Sequence, residues 1–443
     1  MLTGLMRKTV LLLSLLMLGL TVTAQTGGIN PYSVYGLGWS ASPSYVYGQT
    51  LGRTSSSWRS GLHVNPAQPA SYSELKYTTL DIGGYVQMMH QADDVDALWN
   101  NTGGFREFGL GLPLGNGFGM AVGLRPYTTV GYDILSSDSS SAFGDYVQQY
   151  QGSGGLNETF VGIAYAPAPW LSVGINGYYR FGSIEQSNRL DFVDNQYDDV
   201  KTERRTMVSD WTYDAGIQLV LPLGNNVMTI GATYSPTADF DAWQDLVSYA
   251  YKPGPNGSES PLDSLVTSIN NEGIVRLPGQ IQVGLSLEKQ AENLPVNAWE
   301  VHAGYTLVSQ SELLTFATTT SHYGEDVRML SLSAGVIPAL AFTERKLKSY
   351  GSQISYTASF TQANTGLIFD GQSVNQWNLT TAMGLPIGGK SVMLGDRKFA
   401  TVNLGLQVGK LGEKDNGLLR EFQFRALLGV TLNDQWFVQF KYR

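Results

Sequence analysis

The sequence predicts an all-β fold: a transmembrane antiparallel β-barrel of about fourteen strands with an N-terminal hatch, or plug, in its lumen. Three observations carry that expectation. Apolar residues alternate with other residues over runs of eight to twelve, the period of a strand with one apolar face. The residues between them are mostly Gly, Ser, Asn, Gln and Thr, where a water-facing sheet would carry Lys and Glu. Short turns also alternate with long polar stretches, the asymmetry of an outer-membrane barrel.

Composition agrees. Charged residues are 15% of the 443, against roughly 25% in soluble globular chains. There are 51 Gly, 24 Tyr and 9 Trp, and no Cys, so neither a disulfide framework nor a lipid-bearing cysteine is available. A net charge of −9 argues against a nucleic-acid partner.

The chain opens with Arg7 and Lys8, an apolar run from Thr9 to Leu20, and small residues Val22-Thr23-Ala24. That is the layout of a cleaved secretory signal peptide over residues 1–24, too short in its apolar part to span a bilayer. Residues 25–74 show no sustained alternation and carry Gly, Pro and many aromatics, among them Tyr32, Trp39, Tyr45 and Trp58. So aromatic a segment is expected to fold, and a barrel of this size leaves a lumen to fill. Residues 25–74 are therefore expected to be the hatch and 75–443 the barrel.

Within the barrel, "FGMAVGLR" sets Phe118, Met120, Val122 and Leu124 against Gly119, Ala121, Gly123 and Arg125. "IQVGLSLEK" sets Ile281, Val283, Leu285 and Leu287 against Gln282, Gly284, Ser286 and Glu288. "ATVNLGLQVG" and "EFQFRALLGVTL" continue the pattern at the C-terminal end. The small polar face suits a hydrated lumen and the apolar face suits lipid. Turns are expected at Leu112–Gly117, Ala166–Trp170, Leu221–Asn226, Leu385–Lys390 and Leu432–Trp436, where Pro, Gly and Asn supply the geometry. The longer stretches Gln91–Gly104, Leu135–Gly154, Asp194–Lys201, Tyr251–Gly273 and Gly409–Gly417 are expected as outer loops. Trp170, Tyr178, Tyr179, Tyr213, Tyr234 and Trp436 are among the aromatics expected at the membrane girdles. Trp436–Arg443 reads either as a further strand or as the end of the last one.

"NPYSVYGLG" (Asn30–Gly38), then "SGLHVNPAQPASYSEL" (Ser60–Leu75), resemble the Bacteroidetes branch of the FadL long-chain fatty-acid transporter family. "IVRLPGQIQVGLSLEK" (Ile274–Lys289) adds to the likeness. The resemblance implies a fourteen-stranded barrel with an N-terminal hatch and a fatty acid or aromatic hydrocarbon as solute. It also matches the family's hatch motif to Asn65, Pro66 and Ala67, implying a hatch or gating role for them. The chain ends "FKYR", whereas better-known members end on an aromatic. Read from the residues alone, Asn65-Pro66-Ala67 is a structural turn, because the residue before Pro is pushed extended.

Other candidates follow from parity and pattern. Arg125, Arg180 and Arg425 fall on the lumen parity, since a charge facing lipid is costly. They could bind the carboxylate of an amphipathic ligand, or simply pair with acids such as Glu185, Glu300 or Glu421. Leu262, Leu265, Val266 and Ile269 are spaced i, i+3, i+4, i+7, which predicts an amphipathic turn or two in an outer loop that captures a hydrophobic solute or caps the mouth. Gly48–Trp58 lacks the strand and the Lys-Ser/Thr of a phosphate loop and is expected to be a hatch loop. His63, His90, His302 and His322 are scattered without metal spacing, and no Gly-x-Ser-x-Gly elbow occurs. Neither a catalytic residue, a metal nor a cofactor is expected.

The expected function is therefore an outer-membrane channel, not an enzyme, that takes up hydrophobic or amphipathic, fatty-acid-like small molecules through a plugged barrel. Its partners would be outer-membrane lipids and the hydrophobic ligand. The alternative is a non-transport outer-membrane scaffold that partners a secretion machinery.

Overall fold

The computed structural model describes residues 30–436, apart from 53–55, 94–95, 143, 195, 254–257, 292–293, 295, 317–323, 342–348, 370, 388–397 and 415–418. The expected signal peptide, His322 and residues 437–443 of the C-terminal tail thus lie outside the described residues.

Eighteen strands form one sheet. The first, β1 (Trp39–Ser40), belongs to the hatch. The wall begins with β2 (Thr78–Ala92), β3 (Ala97–Gly115), β4 (Phe118–Pro126), β5 (Thr128–Ser140), β6 (Gly144–Ala168) and β7 (Leu171–Phe192). It continues through β8 (Asp199–Leu223), β9 (Asn226–Ser235), β10 (Ala238–Pro253), β11 (Glu259–Leu277), β12 (Gln280–Gln290) and β13 (Asn297–Val308). It ends with β14 (Val327–Val336), β15 (Ser355–Phe369), β16 (Gln372–Ile387), β17 (Lys398–Leu411) and β18 (Arg420–Asp434). Every pairing is antiparallel, and β18 pairs with β2 (Val430 opposite Ile82), which closes the barrel.

Three staves of the wall consist of two strands in line: β4 with β5, β9 with β10, and β11 with β12. The seventeen wall strands therefore make fourteen staves, the number the alternation predicts. Each interruption falls at a proline: Pro126, Pro236 and Pro278. Proline has no N–H to give a ladder, so a stave that must bend can break there.

The two faces separate as expected. Along β6, Val161 (56% exposed) and Ile163 (47%) point outward, while Phe160 and Ala164 beside them are buried. On β12, Ile281, Val283, Leu285 and Leu287 are exposed, and Gln282, Ser286 and Glu288 are buried. An apolar exterior around a closed, polar-lined barrel is stable only in a bilayer, where every backbone group must be paired within the protein.

Four expectations need correction. Three of the five polar stretches read as loops are largely strand: β3 starts at Ala97, β5 and β6 run to Ser140 and from Gly144, and β11 covers Glu259–Leu277. These hairpins continue beyond the lipid, where water wets both faces, so pairing no longer needs apolar alternation. Leu262, Leu265, Val266 and Ile269 lie on β11, not on a helix. They are exposed, and Val266 sits opposite Ser248 among three register shifts between β10 and β11. Bulges there, rather than a helical turn, set their spacing. Tyr178 is no girdle residue: it points into the lumen and is 1% exposed. Gly48–Trp58 is not all loop, since Val46–Thr50 forms a short buried helix and Trp58 is buried.

The hatch, Asn30–Tyr77, fills the lumen with Tyr32, Tyr45, Trp58, Val64 and Tyr72, all buried. It seats on a bed of inward glycines. A Cβ at Gly119 would strike the Tyr72 carbonyl, at Gly216 the Gln68 side chain, and at Gly231 the Ser56 carbonyl. The lumen-face glycines are thus sites of close backbone approach. Gly231→Val should dislodge the hatch, seen as protease cleavage within residues 30–77 while the barrel keeps its heat-modifiable gel migration. Gly177→Val, with no atom nearer than 4.0 Å to the added Cβ, should leave the hatch protected. Equal protection of both variants would refute the bed.

Candidate functional site

The turn at Asn65-Pro66-Ala67 is the point where hatch and wall are joined. Asn65 is buried and its Nδ2 donates to the Trp58 carbonyl (3.0 Å), while its own carbonyl accepts from Gln68 N (3.1 Å). The Pro66 carbonyl accepts from Asn176 Nδ2 (3.0 Å) and lies 3.2 Å from the Tyr178 hydroxyl, both on β7. Gln68 Nε2 donates to Ser56 O (2.7 Å) and reaches the carbonyls of Ile217 and Ala232 in the wall. Tyr72 donates to Asn176 Oδ1 (2.9 Å). Burial, and secondarily the Asp214 carboxylate, hold the Tyr72 phenol well above its ordinary range, so it remains a donor. The links of Asn65, Pro66 and Tyr72, and that of Gln68 to Ser56, are buried hydrogen bonds that would be costly to leave unmade.

Above this joint a charge row crosses the wall. Register places Arg125 opposite Glu158, Glu158 opposite Arg180, and Arg180 opposite Asp210, on four neighbouring staves. Arg125 Nε bonds Glu158 Oε1 at 2.6 Å and Arg180 Nε bonds Glu158 Oε2 at 2.9 Å. Glu158 is 1% exposed, so one carboxylate bridges two guanidinium groups away from bulk water. Arg180 also lies over the Tyr127 ring, 4.0 Å from its centroid. Tyr178 donates to Asp214 Oδ2 (2.8 Å), tying this row to the Pro66 joint.

Two lumenal cavities lie on either side of the hatch. One, about 530 Å³, sits at the short-turn end between His63, Tyr77, Glu288, Asn297, Ser355 and Phe399. The other, about 210 Å³, lies toward the long hairpins. Hatch residues Leu37, Trp39 and Ala67 line it on one side, and Tyr127, Leu277, Leu313 and Met329 on the other. Arg125, Glu158, Arg180 and Asp214 form its polar edge. Arg125 Nη1 and Asp214 Oδ1 are buried there without a hydrogen-bond partner among the described residues.

The wall parts at the level of the charge row. β4 pairs with β3 only up to Phe108 opposite Leu124; beyond the break β5 pairs with β6 and with the hatch strand β1. Trp39 sits opposite Thr129, and Asn30 N donates to the Gly131 carbonyl (2.7 Å). The hatch thus takes up hydrogen bonds that β3 no longer makes with this stave.

Of the residues singled out in the sequence, Arg125, Arg180 and Ala67 converge on the second cavity. The expected acids are not the partners: Glu158 takes both arginines. Glu185 pairs with Arg205 instead (3.4 Å), and Glu300 lies 3.5 Å from His302. Arg425 stands apart from this cavity. It is held by Gln87 (Nε to Oε1, 2.7 Å) and Gln407 (Nη1 to Oε1, 3.2 Å). Leu262, Leu265, Val266 and Ile269 lie on the projecting β11, away from the cavity lining. Asn176, Tyr178, Asp214 and Gln68 were missed. The available signal was their polar character at lumen parity, interrupting Gly and Ala.

A family model described as BamG matches residues 6–443, and the chain belongs to that family. Among curated proteins, none matches this sequence. Solved structures show a FadL-like fold. A Pseudomonas aeruginosa FadL homologue is similar with TM-score 0.56 at 10% identity, over 91% of this chain and all (100%) of that one. The P. putida toluene transporter TodX gives TM-score 0.54 at 12% identity, over 90% and 100%. The Ralstonia pickettii toluene transporter TbuX gives 0.51 at 12%, over 87% and 98%. The likeness read from the hatch motifs therefore stands at the level of the fold, and it does not reach to a bacterial phylum.

Replacing Glu158 by Gln should leave two buried guanidinium groups without their counter-charge, a loss of about 3–5 kcal/mol for a broken buried ion pair. Denaturant unfolding of the detergent-solubilised protein measures it. A change below about 1 kcal/mol would show that lumenal water already screens the row.

Proposed function

We propose that this member of the BamG family is an outer-membrane channel for hydrophobic or amphipathic small molecules, exported by its leader and acting without catalysis. The observation that carries the reading is the second cavity: an amphipathic chamber in which Leu37, Trp39, Leu313 and Met329 lie among polar side chains and one charged edge, between hatch and wall at the level where the wall parts. The fold supports it, since solved relatives in shape are described as a FadL homologue and toluene transporters.

Size narrows the solute. A dry cavity of about 150 Å³ accommodates one benzene ring. At about 210 Å³ the chamber suits a single-ring hydrocarbon or one end of an alkyl chain. A carboxylate or hydroxyl on such a solute would meet the polar edge that Arg125 and Arg180 form. Asn65, Pro66 and Ala67 then act as the fixed joint of the hatch, and passage toward the short-turn end requires movement about that joint.

A second reading, a non-transport scaffold for a secretion machinery, is favoured by the bedding of Ser56–Tyr72 on wall glycines, which makes such movement expensive. Uptake separates the two. Cells or proteoliposomes carrying the protein should accumulate radiolabelled toluene or a short fatty acid several-fold faster than those without it. Met329→Trp, which fills the chamber from β14, should remove most of that gain. No gain over empty membranes would reject the channel and leave the scaffold.

A further inference from the structure

The larger cavity, about 530 Å³ at the short-turn end, is lined by an acid pair that the channel reading leaves unused. Register sets Glu288 of β12 directly opposite Glu300 of β13, and both line the cavity. Glu288 is 1% exposed and Glu300 6%. Like charges facing each other across two strands destabilise the pairing, and burial strengthens the repulsion. Asn297 relieves it only in part. Its Nδ2 donates to Oε2 of both carboxylates (2.9 Å each), but the amide is neutral. Among the described residues no cation pairs with Glu288. Arg59 and Lys76, which line the same cavity, both pair with Glu74 (2.8 and 3.4 Å).

A second irregularity lies beside the pair. His302, two residues along β13, is 1% exposed. Neither of its ring nitrogens has a hydrogen-bond partner among the described residues, and Nε2 is directed at Glu300 Oε2 from 3.5 Å. A buried polar group without a bond is costly, and each exception calls for a physical reason. Two carboxylates and an imidazole thus share the donors of one amide. What the cluster lacks is a positive group rich in N–H donors.

The rest of the cavity narrows that group. Leu62, Tyr77, Leu294, Val296 and Phe399 form an apolar cluster along its lining. The hatch adds ring faces, with Tyr47 stacked on His63 at 4.0 Å between centroids, and such faces attract cations. Gly335, opposite Glu300 on β14, leaves room for the carboxylate: a Cβ there would come to 3.0 Å from Glu300 Cγ and Oε1. The Lys76 side chain on the rim is 54% exposed, so the cavity reaches solvent.

We propose that this cavity binds a primary ammonium group on an apolar stem, with the ammonium at Glu288 and Glu300 and the stem along Tyr77 and Phe399. An ammonium brings three N–H donors and one positive charge. It answers both the surplus of acceptors and the like-charged pair. A volume of about 530 Å³ is ordinary for a small-molecule site, so the stem belongs to a free alkylamine or to a lysine within a peptide. The inference does not depend on the channel reading, because the 210 Å³ chamber lies on the other side of the hatch.

Calorimetric titration of n-butylammonium chloride into the full chain in non-ionic detergent tests the site. Binding should saturate. Butanol and butyrate, which keep the stem and lose the ammonium, should bind more weakly by roughly tenfold or more. Glu288→Gln and Glu300→Gln each remove one charge at nearly constant shape. Each should weaken n-butylammonium by roughly tenfold or more, the loss of one charge-assisted bond. Heat-modifiable gel migration checks that both variants keep the barrel. A peptide, N-acetyl-Leu-Lys-Leu amide, separates the two sources. Tighter binding than n-butylammonium, weakened in the same variants, assigns the site to a peptide lysine; equal or weaker binding assigns it to a free amine. Absence of binding by both probes would leave a shared proton as the counter-charge and overturn the site. Equal binding of butanol, or undiminished binding by both Gln variants, would overturn it as well.

Discussion

The structure depends on how closely the hatch backbone approaches the wall. A fourteen-stave barrel is wide enough to leave a water-filled lumen unless something fills it. Here the filling is a chain segment, and a chain segment brings carbonyl and N–H groups that need partners once buried. The wall cannot supply them through its own ladder, which is already used between staves. It supplies them through side chains at lumen parity, Asn176, Tyr178 and Gln218, each buried and each bonded to a hatch carbonyl. The glycines between them let the two backbones come near enough for those short side chains to reach. Remove either element and the other loses its purpose.

The charge row follows from the same constraint. Where the hatch is absent from the inner wall, the lumen-facing positions of adjacent staves meet each other instead. Direct cross-strand neighbours of opposite charge stabilise an antiparallel pair. Arg125, Glu158 and Arg180 satisfy that rule across three staves, with Asp210 next in register. The row lies beside the interruption of the β4/β5 stave and ends on β8. Its ion pairs hold β4, β6 and β7 together where the third stave loses its neighbour on the other side.

Much of this was legible in the sequence, and the reason is parity. A period of two fixes which residues face lipid, so the stave count, the inward direction of Arg125 and Arg180, and the hatch itself could be read from the chain. Parity also carried its own error. It treated lumen-facing Gly as mere small residues, when Gly119, Gly216 and Gly231 mark contacts with Tyr72, Gln68 and Ser56 that no local pattern reveals. The partner of Arg125 and Arg180 was out of reach for a related reason. Opposition of Glu158 to both depends on the register of three staves, and register is set by turn geometry and bulges that sequence spacing does not fix. Beyond the lipid band parity loses its meaning altogether. Leu262, Leu265, Val266 and Ile269 imitate a helix only because bulges shift β11 against β10.

The prolines show what the same sequence could have said and did not. Pro126, Pro236 and Pro278 each sit inside an otherwise alternating run, and each could be taken for a turn between two short strands. Two facts argue against turns. The chain continues in the same direction on both sides of each, since β4 and β5 both pair antiparallel with β6, and β9 and β10 both pair antiparallel with β8. The pairing partners also step along one neighbour without returning: from Pro126 opposite Asn157 to Val130 opposite Gly154. A proline that bends a stave without ending it leaves the wall intact on one side and open on the other. At Pro126 the open side is covered from within by β1 of the hatch. At Pro236 the open side faces β8, and what lies behind it is the chamber. Closing the first interruption with the hatch while leaving the second against a cavity is an asymmetry that barrel stability alone does not require, because continuous pairing at both sites would bury more backbone hydrogen bonds.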